Sequence, residues 1–308
     1  MTDLKVKKKV LTAAEAAGLT EHEAALSAHI VKSLVPDPDI LDKYEHRKIG
    51  GYTDFEVLDV ARALQHNVLL GGPTGSGKSL LFRAYGAHHG VPVATVSCSG
   101  ASDPATWFGS YRPFPNPDGT PGFVWVDGIV TAVLRSGGVV FFDEVNFLRN
   151  DVAAAVHQVL RERELILLDK GNEVVKASPD TLIVAALNDG DEYGGTNELN
   201  AAFANRFAIS LSWDYDPDVE ARLVVKSEVL ELAKVLRNSI EEGAILTPVP
   251  TNALIEFEEI AANFDSSFAC DVFLNRFRPG ERLVVEEQIT LLGLRSLSYD
   301  ASVLEEVA

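Results

Sequence analysis

The sequence predicts an α/β fold, in which helices cover both faces of a parallel five-stranded sheet and a smaller helical domain follows. One observation is a series of short apolar runs, each bounded by Gly, Pro, Asn or Asp, at 67–70, 91–97, 139–142, 182–186 and 207–211. Another is the amphipathic helical pattern between these runs, as at 79–88 and 151–164. Strands that alternate with helices indicate a parallel sheet. Runs that are apolar throughout indicate strands buried on both faces.

The chain is predicted to have three parts. Residues 1–45 are expected to be an N-terminal helical extension, because 11–35 have helical apolar spacing and Pro36 and Pro38 end the pattern. Residues 46–216 contain the strands and are expected to form the α/β domain. After residue 216 the pattern becomes helical, so residues 217–308 are predicted to form a C-terminal helical domain, with helices at 217–236, 251–264 and 267–277.

The composition excludes several classes of protein. Hydrophobic residues make up 46% and charged residues 23% of the 308 residues, which is ordinary for a globular protein and excludes a disordered chain. The 27 basic and 45 acidic side chains give a net charge of −18, which weighs against nonspecific nucleic-acid binding. No apolar run is long enough to cross a bilayer, and Cys98 and Cys270 lack metal-ligand spacing. We therefore expect a cytoplasmic protein with buried free thiols and no membrane segment.

The most informative segment lies between the first predicted strand and the helix after it, and it matches the pattern G-x-x-x-x-G-K-[ST] in full. Its glycines allow backbone N–H groups to turn inward around a phosphate, and the helix N-terminus adds partial positive charge. Lys78 is expected to reach the β- and γ-phosphates of a nucleotide, and the Ser79 hydroxyl to ligate Mg²⁺. The sequence therefore predicts a nucleotide-binding loop made of Gly72, Pro73, Thr74, Gly75, Ser76, Gly77, Lys78 and Ser79.

A second motif is an apolar strand that ends in two acids, Asp143 and Glu144. Ligands of open α/β sheets bind at the carboxyl ends of the strands, so both carboxylates are expected there. Asp143 would hold Mg²⁺ through a bound water, and Glu144 would act as the general base for the attacking water. The pair therefore indicates hydrolysis of the nucleotide rather than binding alone.

Two further residues are candidates for the reaction. Asn188 follows the next strand, so its amide is expected beside the two acids, where it would orient the water; a turn asparagine is the alternative. Arg206 ends a helical stretch before the fifth strand and is expected on the surface. From there its guanidinium could neutralise charge on the γ-phosphate of a neighbouring subunit in the transition state. A solvated or structural arginine is the alternative for Arg206.

With these residues placed, the sequence resembles the AAA+ ATPases of the MoxR type, closest to the CbbQ/NorQ/GvpN branch of the dynein-related AAA subfamily. WFG from position 107, GFV from 122, DGIVTA from 127 and Asn146 resemble the MoxR-type helix insert and its approach to the acid pair. YGGT from position 193 is similar to the stretch before that family's arginine finger. SWDYDP from position 212 resembles the CbbQ/NorQ/gas-vesicle branch in particular. The resemblance covers about residues 45–225.

The resemblance implies a five-stranded AAA+ core with a helical lid domain, assembled as a homo-oligomeric ring, a hexamer, with ATP and Mg²⁺ at the subunit interfaces. Two hairpins, within 110–122 and at 165–176, would engage a client at the pore or rim; hairpins that only pack the ring are the alternative. The resemblance also implies that the protein remodels or assembles a protein partner, and members of this branch commonly work together with a von Willebrand factor A-type protein. The family's catalytic roles would fall to Lys78, Ser79, Asp143, Glu144, Asn188 and Arg206.

The sequence departs from the family in the lid domain. The family often carries an arginine there that touches the γ-phosphate of its own subunit, but residues 265–270 contain none, and Arg276 and Arg278 are the nearby substitutes. Two other functions therefore stay open. One is a nucleic-acid-translocating motor, against which the net charge and the few basic residues of the hairpins weigh. The other is a nucleotide-gated scaffold with weak hydrolysis. Tyr52 and the two glycines before it are expected to border the adenine.

Overall fold

The computed structural model describes residues 20–98, 103–115, 120–148, 150–188 and 201–299. The start of the predicted N-terminal extension (1–19), the YGGT motif at 193 and the acidic tail from 300 lie outside the described residues. The strands are β1 (Lys48–Ile49), β2 (Tyr52–Thr53), β3 (Val68–Gly72), β4 (Val93–Ser97), β5 (Gly109–Pro115), β6 (Pro121–Asp127), β7 (Gly138–Asp143), β8 (Glu164–Leu167), β9 (Glu173–Lys176), β10 (Thr181–Asn188) and β11 (Ile209–Ser212).

The helices fall between and after these strands. Those of the sheet region are α1 (Glu21–Ser33), α2 (Asp54–Ala63), α3 (Lys78–His89), α4 (Pro104–Phe108), α5 (Ile129–Ser136), α6 (Asn150–Glu162) and α7 (Ala201–Ala204). Those of the C-terminal region are α8 (Pro217–Leu223), α9 (Ser227–Glu241), α10 (Thr251–Asn263), α11 (Ser266–Leu274) and α12 (Arg282–Leu291). Short 3-10 helices cover Pro38–Lys43, Val145–Phe147, Leu168–Lys170 and Leu294–Ser296.

The central sheet confirms the predicted α/β fold. Its five parallel strands lie in the order β11-β3-β10-β7-β4, so β10 lies between the strand that leads into the glycine-rich loop and the strand that ends in the acids. Strand β4 begins at Val93 rather than at 91. The reason is that the Val91 N–H already donates to the Gly86 carbonyl at the end of α3, and Pro92 has no N–H to give.

The strands are apolar throughout because both faces of the sheet are covered. Phe141 and Phe142 are adjacent in β7 and point to opposite faces, each into a separate hydrophobic cluster. Phe141 packs against Phe82 of α3 with ring centroids 4.6 Å apart. Fully burying a side chain of this size stabilises the fold by about 1.5–3 kcal/mol. The sheet is therefore a rigid support for the loops at its carboxyl edge.

The C-terminal helices surround their own hydrophobic cluster, centred on residues such as Leu236 and Phe257. The single helix predicted at 217–236 is wrong, because α8 ends at Leu223 and α9 begins at Ser227. The carboxylate of Glu258, on α10, accepts the backbone N–H groups of Val225 and Lys226, both at 2.7 Å. These two N–H groups are thus bonded to a side chain and not to helical carbonyls, which stabilises the interruption between α8 and α9. No helix within the described ranges combines the length and apolar character needed to cross a bilayer.

A hairpin is present at each predicted place, formed by β5 with β6 and by β8 with β9. The predicted limit of the first at 122 is wrong, because β6 continues to Asp127, which pairs with Gly109. Helix α1, the described part of the N-terminal extension, begins at a capping box in which Thr20 and Glu23 bond each other's backbone. Its Ser27 hydroxyl donates to Asp127 at the end of β6, over 3.0 Å. Its Glu23 carboxylate pairs with Lys170, between β8 and β9, at 3.2 Å. Helix α1 therefore makes polar contacts with both hairpins.

Candidate functional site

The glycine-rich loop turns sharply between β3 and α3. Gly75 and Gly77 have φ values of 68° and 89°, which a residue with a side chain rarely adopts. A side chain on Gly72 would also collide with the backbone of Trp213, whose carbonyl oxygen lies 2.1 Å from the ideal Cβ position. The glycines are therefore required by the shape of the loop. Such a loop at a helix N-terminus offers backbone N–H groups to an anion.

Lys78 is buried at the first position of α3. Its ammonium group donates to the carbonyl oxygens of Gly72, at 2.8 Å, and Pro73, at 2.7 Å. The Lys78 side chain therefore reaches back to the first two residues of the loop, which places its positive charge beside the loop. The neighbouring Ser79 is exposed, so its hydroxyl is open to solvent and to a ligand.

The two acids lie opposite this helix start. Asp143 ends β7, and its carboxylate accepts a hydrogen bond of 3.1 Å from the Ser79 hydroxyl. Glu144 has a φ of 55°, which is uncommon for a residue other than glycine, and its N–H donates to Asp143 at 3.0 Å. At Glu144 the backbone adopts the left-handed conformation and β7 has ended. The two consecutive carboxylates have different partners, Ser79 for Asp143 and Asn188 for Glu144. Strained residues of this kind cluster at functional sites.

Asn188 joins the same group from the neighbouring strand. It ends β10 in register with Gly72, the first residue of the loop. Its side-chain amide donates to Glu144 over 3.1 Å. The structure therefore brings together four of the residues predicted from the sequence: Ser79, Asp143, Glu144 and Asn188.

Ser97 is a member of this group that the sequence reasoning missed. It pairs with Asp143 in register at the end of β4, and its hydroxyl lies 3.4 Å from Glu144. The signal was available, because β4 also ends in a polar residue at the carboxyl edge of the sheet. Glu144 is therefore contacted from both neighbouring strands, through Ser97 and Asn188.

The oxygens of this group fit a magnesium ion held together with a phosphate. The Ser79 hydroxyl and the Asp143 carboxylate are hard oxygen ligands, the type that Mg²⁺ prefers, and Mg²⁺ is usually held by one or two such groups plus substrate oxygens. Among the described residues there is no cluster of three or more His, Cys, Asp or Glu that could hold a metal without a substrate. The arrangement can therefore bind the ion with a nucleotide but forms no cage of its own.

Cys98 follows β4 and is buried directly behind the two acids, where its N–H donates to the Asp143 carbonyl at 2.9 Å. Burial raises the pKa of the Cys98 thiol to about 12, and the charges of Asp143 and Glu144 add to this effect. Since the thiolate is the nucleophilic form, Cys98 is an inert neighbour of the site. This agrees with the predicted buried free thiol.

Arg206 lies away from this group. Its carbonyl accepts a bond of 2.9 Å from Asn67, which directly precedes β3, whereas the glycine-rich loop follows the other end of β3. The five residues of β3 separate the two by roughly 15 Å at about 3.3 Å per residue. Arg206 is half-buried rather than on the open surface as predicted, and its Nη1 lacks a hydrogen-bond partner among the described residues. It does not reach the loop of its own chain.

The C-terminal helices reach the loop from another side. A side chain on Gly75 would meet Pro250, just before α10, at 2.3 Å. Asn252 is also close to this position, and its amide donates to Glu256 over 3.1 Å. The other oxygen of Glu256 pairs with Arg276 at 2.6 Å. Of the two substitutes for the lid arginine, Arg276 is therefore connected to the loop through a short series of contacts.

A cavity of about 940 Å³ lies between the loop and these helices. Its lining includes Thr74 of the loop, Tyr215, and Lys234 and Arg237 of α9. The Arg237 guanidinium lies over the Tyr215 ring at 3.8 Å. Three side chains outside the motif also contact the outer face of the loop: Arg47, Trp213 and Tyr215. No sequence pattern predicted a role for Arg47, because it lies in an irregular segment directly before β1.

Comparison with known families agrees with this geometry. Residues 67–207 match the family model described as AAA domain (dynein-related subfamily). An uncharacterised protein of Staphylococcus aureus (strain USA300) is 31% identical over 198 residues, which cover 64% of this chain and 74% of that protein. An uncharacterised protein of Staphylococcus epidermidis is 29% identical over 227 residues, which cover 70% of this chain and 85% of that protein.

Two solved structures of NtrX from Brucella abortus are similar to the chain. The complex with ATP has a TM-score of 0.41 and 16% sequence identity, and the alignment covers 83% of this chain and 71% of that one. The complex with ADP has a TM-score of 0.39 and 15% identity, and the alignment covers 80% of this chain and 51% of that one.

Proposed function

Because the chain belongs to the dynein-related subfamily of AAA domain proteins, we propose that it is a Mg²⁺-dependent ATPase that works as a ring on a protein partner. The observation that carries the proposal is the group of Ser79, Asp143, Glu144 and Asn188 at one edge of the sheet, beside a complete phosphate-binding loop. The group combines a site for an ion, a base and a group that orients the base, which hydrolysis requires and mere binding does not.

In the proposed reaction, residues 72–79 bind the phosphates through backbone N–H groups and the ammonium group of Lys78. Ser79 and Asp143 would hold Mg²⁺, which supplies positive charge to the phosphate oxygens. The Glu144 carboxylate accepts a proton from water as the water oxygen bonds to the γ-phosphorus and the bond to the β-phosphate oxygen breaks. Asn188 keeps Glu144 in position, so that ADP and phosphate are the products.

We assign Arg206 a role in the neighbouring subunit. Its distance from the loop of its own chain supports this, since it could meet a γ-phosphate only across an interface. Among the described residues Arg206 Nη1 has no hydrogen-bond partner, which is consistent with a role in binding an anion after subunits associate. An arginine supplied in this way contributes about 10³–10⁵ in rate in related phosphoryl-transfer enzymes. A ring, which we take to be a hexamer, provides the required interfaces.

The hairpins are the proposed contact with the client. Tyr111 and Phe123 of the first hairpin, and Leu168 and Val174 of the second, are apolar and exposed. Exposed apolar groups indicate a protein partner more than a nucleic acid. We propose a client or partner of the von Willebrand factor A type, on the strength of the MoxR-like motifs. We also keep the division into an extension (1–45), a core (46–216) and a lid (217–308).

The test is phosphate release from ATP by the purified chain, with and without Mg²⁺, and with added DNA. The proposal expects hydrolysis that stops when Mg²⁺ is removed and that DNA leaves unchanged. Stimulation by DNA that falls steeply with salt would favour the nucleic-acid motor. Size-exclusion chromatography would show whether the chain assembles when ATP is added. Assembly of this kind with negligible phosphate release would favour the nucleotide-gated scaffold.

A further inference from the structure

The glycine-rich loop is held from its outer face by three hydrogen-bond donors, which we call the outer clamp: Arg47, Trp213 and Tyr215. The Ser76 carbonyl accepts bonds from Arg47 Nη2, at 2.5 Å, and from the Trp213 indole Nε1, at 3.1 Å. The Thr74 carbonyl accepts a bond from the Tyr215 hydroxyl at 2.8 Å. Two carbonyls of the loop are therefore fixed in direction by side chains outside the motif.

Fixing these carbonyls fixes the next N–H groups as well. The peptide bonds are trans, so the carbonyl and the N–H of one peptide unit point in opposite directions. With the Ser76 and Thr74 carbonyls held on the outer face, the N–H groups of Gly77 and Gly75 point toward the inner face. Both are glycines, whose peptide units turn over easily, so the motif alone does not set their direction.

From this geometry we propose that the outer clamp positions the Gly75 and Gly77 N–H groups, and so gives the loop its affinity for the β-phosphate of a nucleotide. The inference rests on the proposed ATPase function, and it makes the clamp members positioning residues, because they act through the loop carbonyls that they bond. Preorganised donors bind a charge without the cost of reorienting.

The clamp itself is rigid. The guanidinium of Arg47 lies over the Trp213 ring at 4.3 Å and also donates through Nη1 to the Asp214 carbonyl at 2.5 Å. Trp213 is 2% exposed, so its indole has little freedom. The Arg47 N–H is bound to the buried carboxylate of Asp54 at 2.9 Å. Lysine, whose ammonium group is a point charge, can reproduce only part of the contacts of a planar guanidinium that bonds two carbonyls at once.

The experiment compares ADP with AMP, because AMP has no β-phosphate. Affinities of both nucleotides are measured by competition against a fluorescent ADP analogue. For Arg47→Met we expect ADP to bind about tenfold more weakly and AMP to be unchanged, so the ratio of the two affinities falls. Arg47→Lys should recover part of this ratio. Tyr215→Phe removes one donor and keeps the ring, and Trp213→Phe removes the indole N–H but keeps an aromatic ring; each should lower the ratio about threefold.

Arg62→Met is the matched control, because Arg62 is also half-buried and donates to a backbone carbonyl, that of Asp180, at 2.8 Å, far from the loop. It should leave the ratio unchanged. Equal ratios in the parent, Arg47→Met and Trp213→Phe would overturn the inference, as would a parallel loss of ADP and AMP affinity. If Arg47→Met fails to fold, the two conservative variants decide. A parent that binds no ADP would instead overturn the proposed ATPase function itself.

Discussion

The side-chain amide of Asn188 donates to the carboxylate of Glu144 over 3.1 Å, although the two residues are 44 positions apart in the chain. They meet because β10 and β7 are parallel neighbours and both end at the same edge of the sheet. A neutral donor beside a carboxylate stabilises its charged form, which is the form that can accept a proton. The contact thus connects the order of the strands to the proposed chemistry.

Replacing Asn188 with Asp tests this contact with almost no change in shape. The change removes the amide donor to Glu144 and places a second negative charge beside the proposed base. We expect kcat for phosphate release to fall about 10- to 100-fold. An unchanged kcat would show that Asn188 does not act on the base. Asn263→Asp, at the end of α10, is the control.

Mixing two inactive variants tests the role of Arg206 in the neighbouring subunit. Arg206→Ala has an intact phosphate loop, and Lys78→Ala has an intact Arg206. Each alone should hydrolyse ATP at least about 10³-fold more slowly than the parent. Mixed rings should regain activity, because Lys78→Ala subunits supply the arginine to their neighbours. Steady-state phosphate release from mixtures at several ratios is the measurement, and mixtures as inactive as their components would contradict the trans role.

Much of the core could be predicted from the sequence because its signals are local. The loop at 72–79 and the acids at 143 and 144 each follow an apolar strand, and parallel strands bring their carboxyl ends to one edge. The same rule predicted the position of Asn188. It would also have found Ser97, since β4 ends at the same edge.

Other features could not be predicted because they depend on tertiary contacts. The break between α8 and α9 is made by Glu258, which lies more than thirty residues further along the chain and bonds two N–H groups there. The residues of 217–236 alone show only a helical pattern, because the carboxylate that interrupts the helix lies outside this range. Arg47 likewise acquires its contacts with Ser76 and Asp214 only when the chain folds. The half-burial of Arg206 depends in the same way on its neighbours, such as Phe203.

Stability should depend strongly on Asp54, at the start of α2. This carboxylate is 1% exposed and accepts bonds from the Tyr44 hydroxyl, from His46 at 2.7 Å and from the N–H of Arg47 at 2.9 Å. Asp54→Ala leaves the half-buried Tyr44 hydroxyl and Arg47 N–H without this acceptor, so we expect a loss of about 2–4 kcal/mol in the free energy of unfolding. Urea unfolding followed by circular dichroism measures it. Asp42→Ala, at an exposed position, should change it by less than about 0.5 kcal/mol.

The thiol of Cys98 should be unreactive in the folded protein. Its pKa is raised to about 12, mainly by burial, and burial likewise raises the pKa of Cys270 to about 11. An unfolded thiol ionises near pH 8.5, so the fold disfavours the thiolate. The contribution of the protonated thiols to the free energy of unfolding is therefore complete below about pH 8.5 and is lost as the pH rises toward 12. At pH 8 a thiol reagent should modify the native chain at least about 100-fold more slowly than the urea-unfolded chain. Equal rates would contradict the burial of both thiols.

The most direct test of the central claim is a calorimetric titration of Mg·ATP into Glu144→Gln, in which slow turnover keeps the nucleotide intact. The account predicts saturable binding of one nucleotide per chain, with phosphate release lowered by about 10²–10⁴ relative to the parent and to the surface control Glu162→Gln. Adding Lys78→Ala to Glu144→Gln should weaken the binding about 10- to 100-fold. Absence of any heat of binding, or binding that is indifferent to Lys78, would contradict the claim that residues 72–79 hold the triphosphate opposite Asp143 and Glu144.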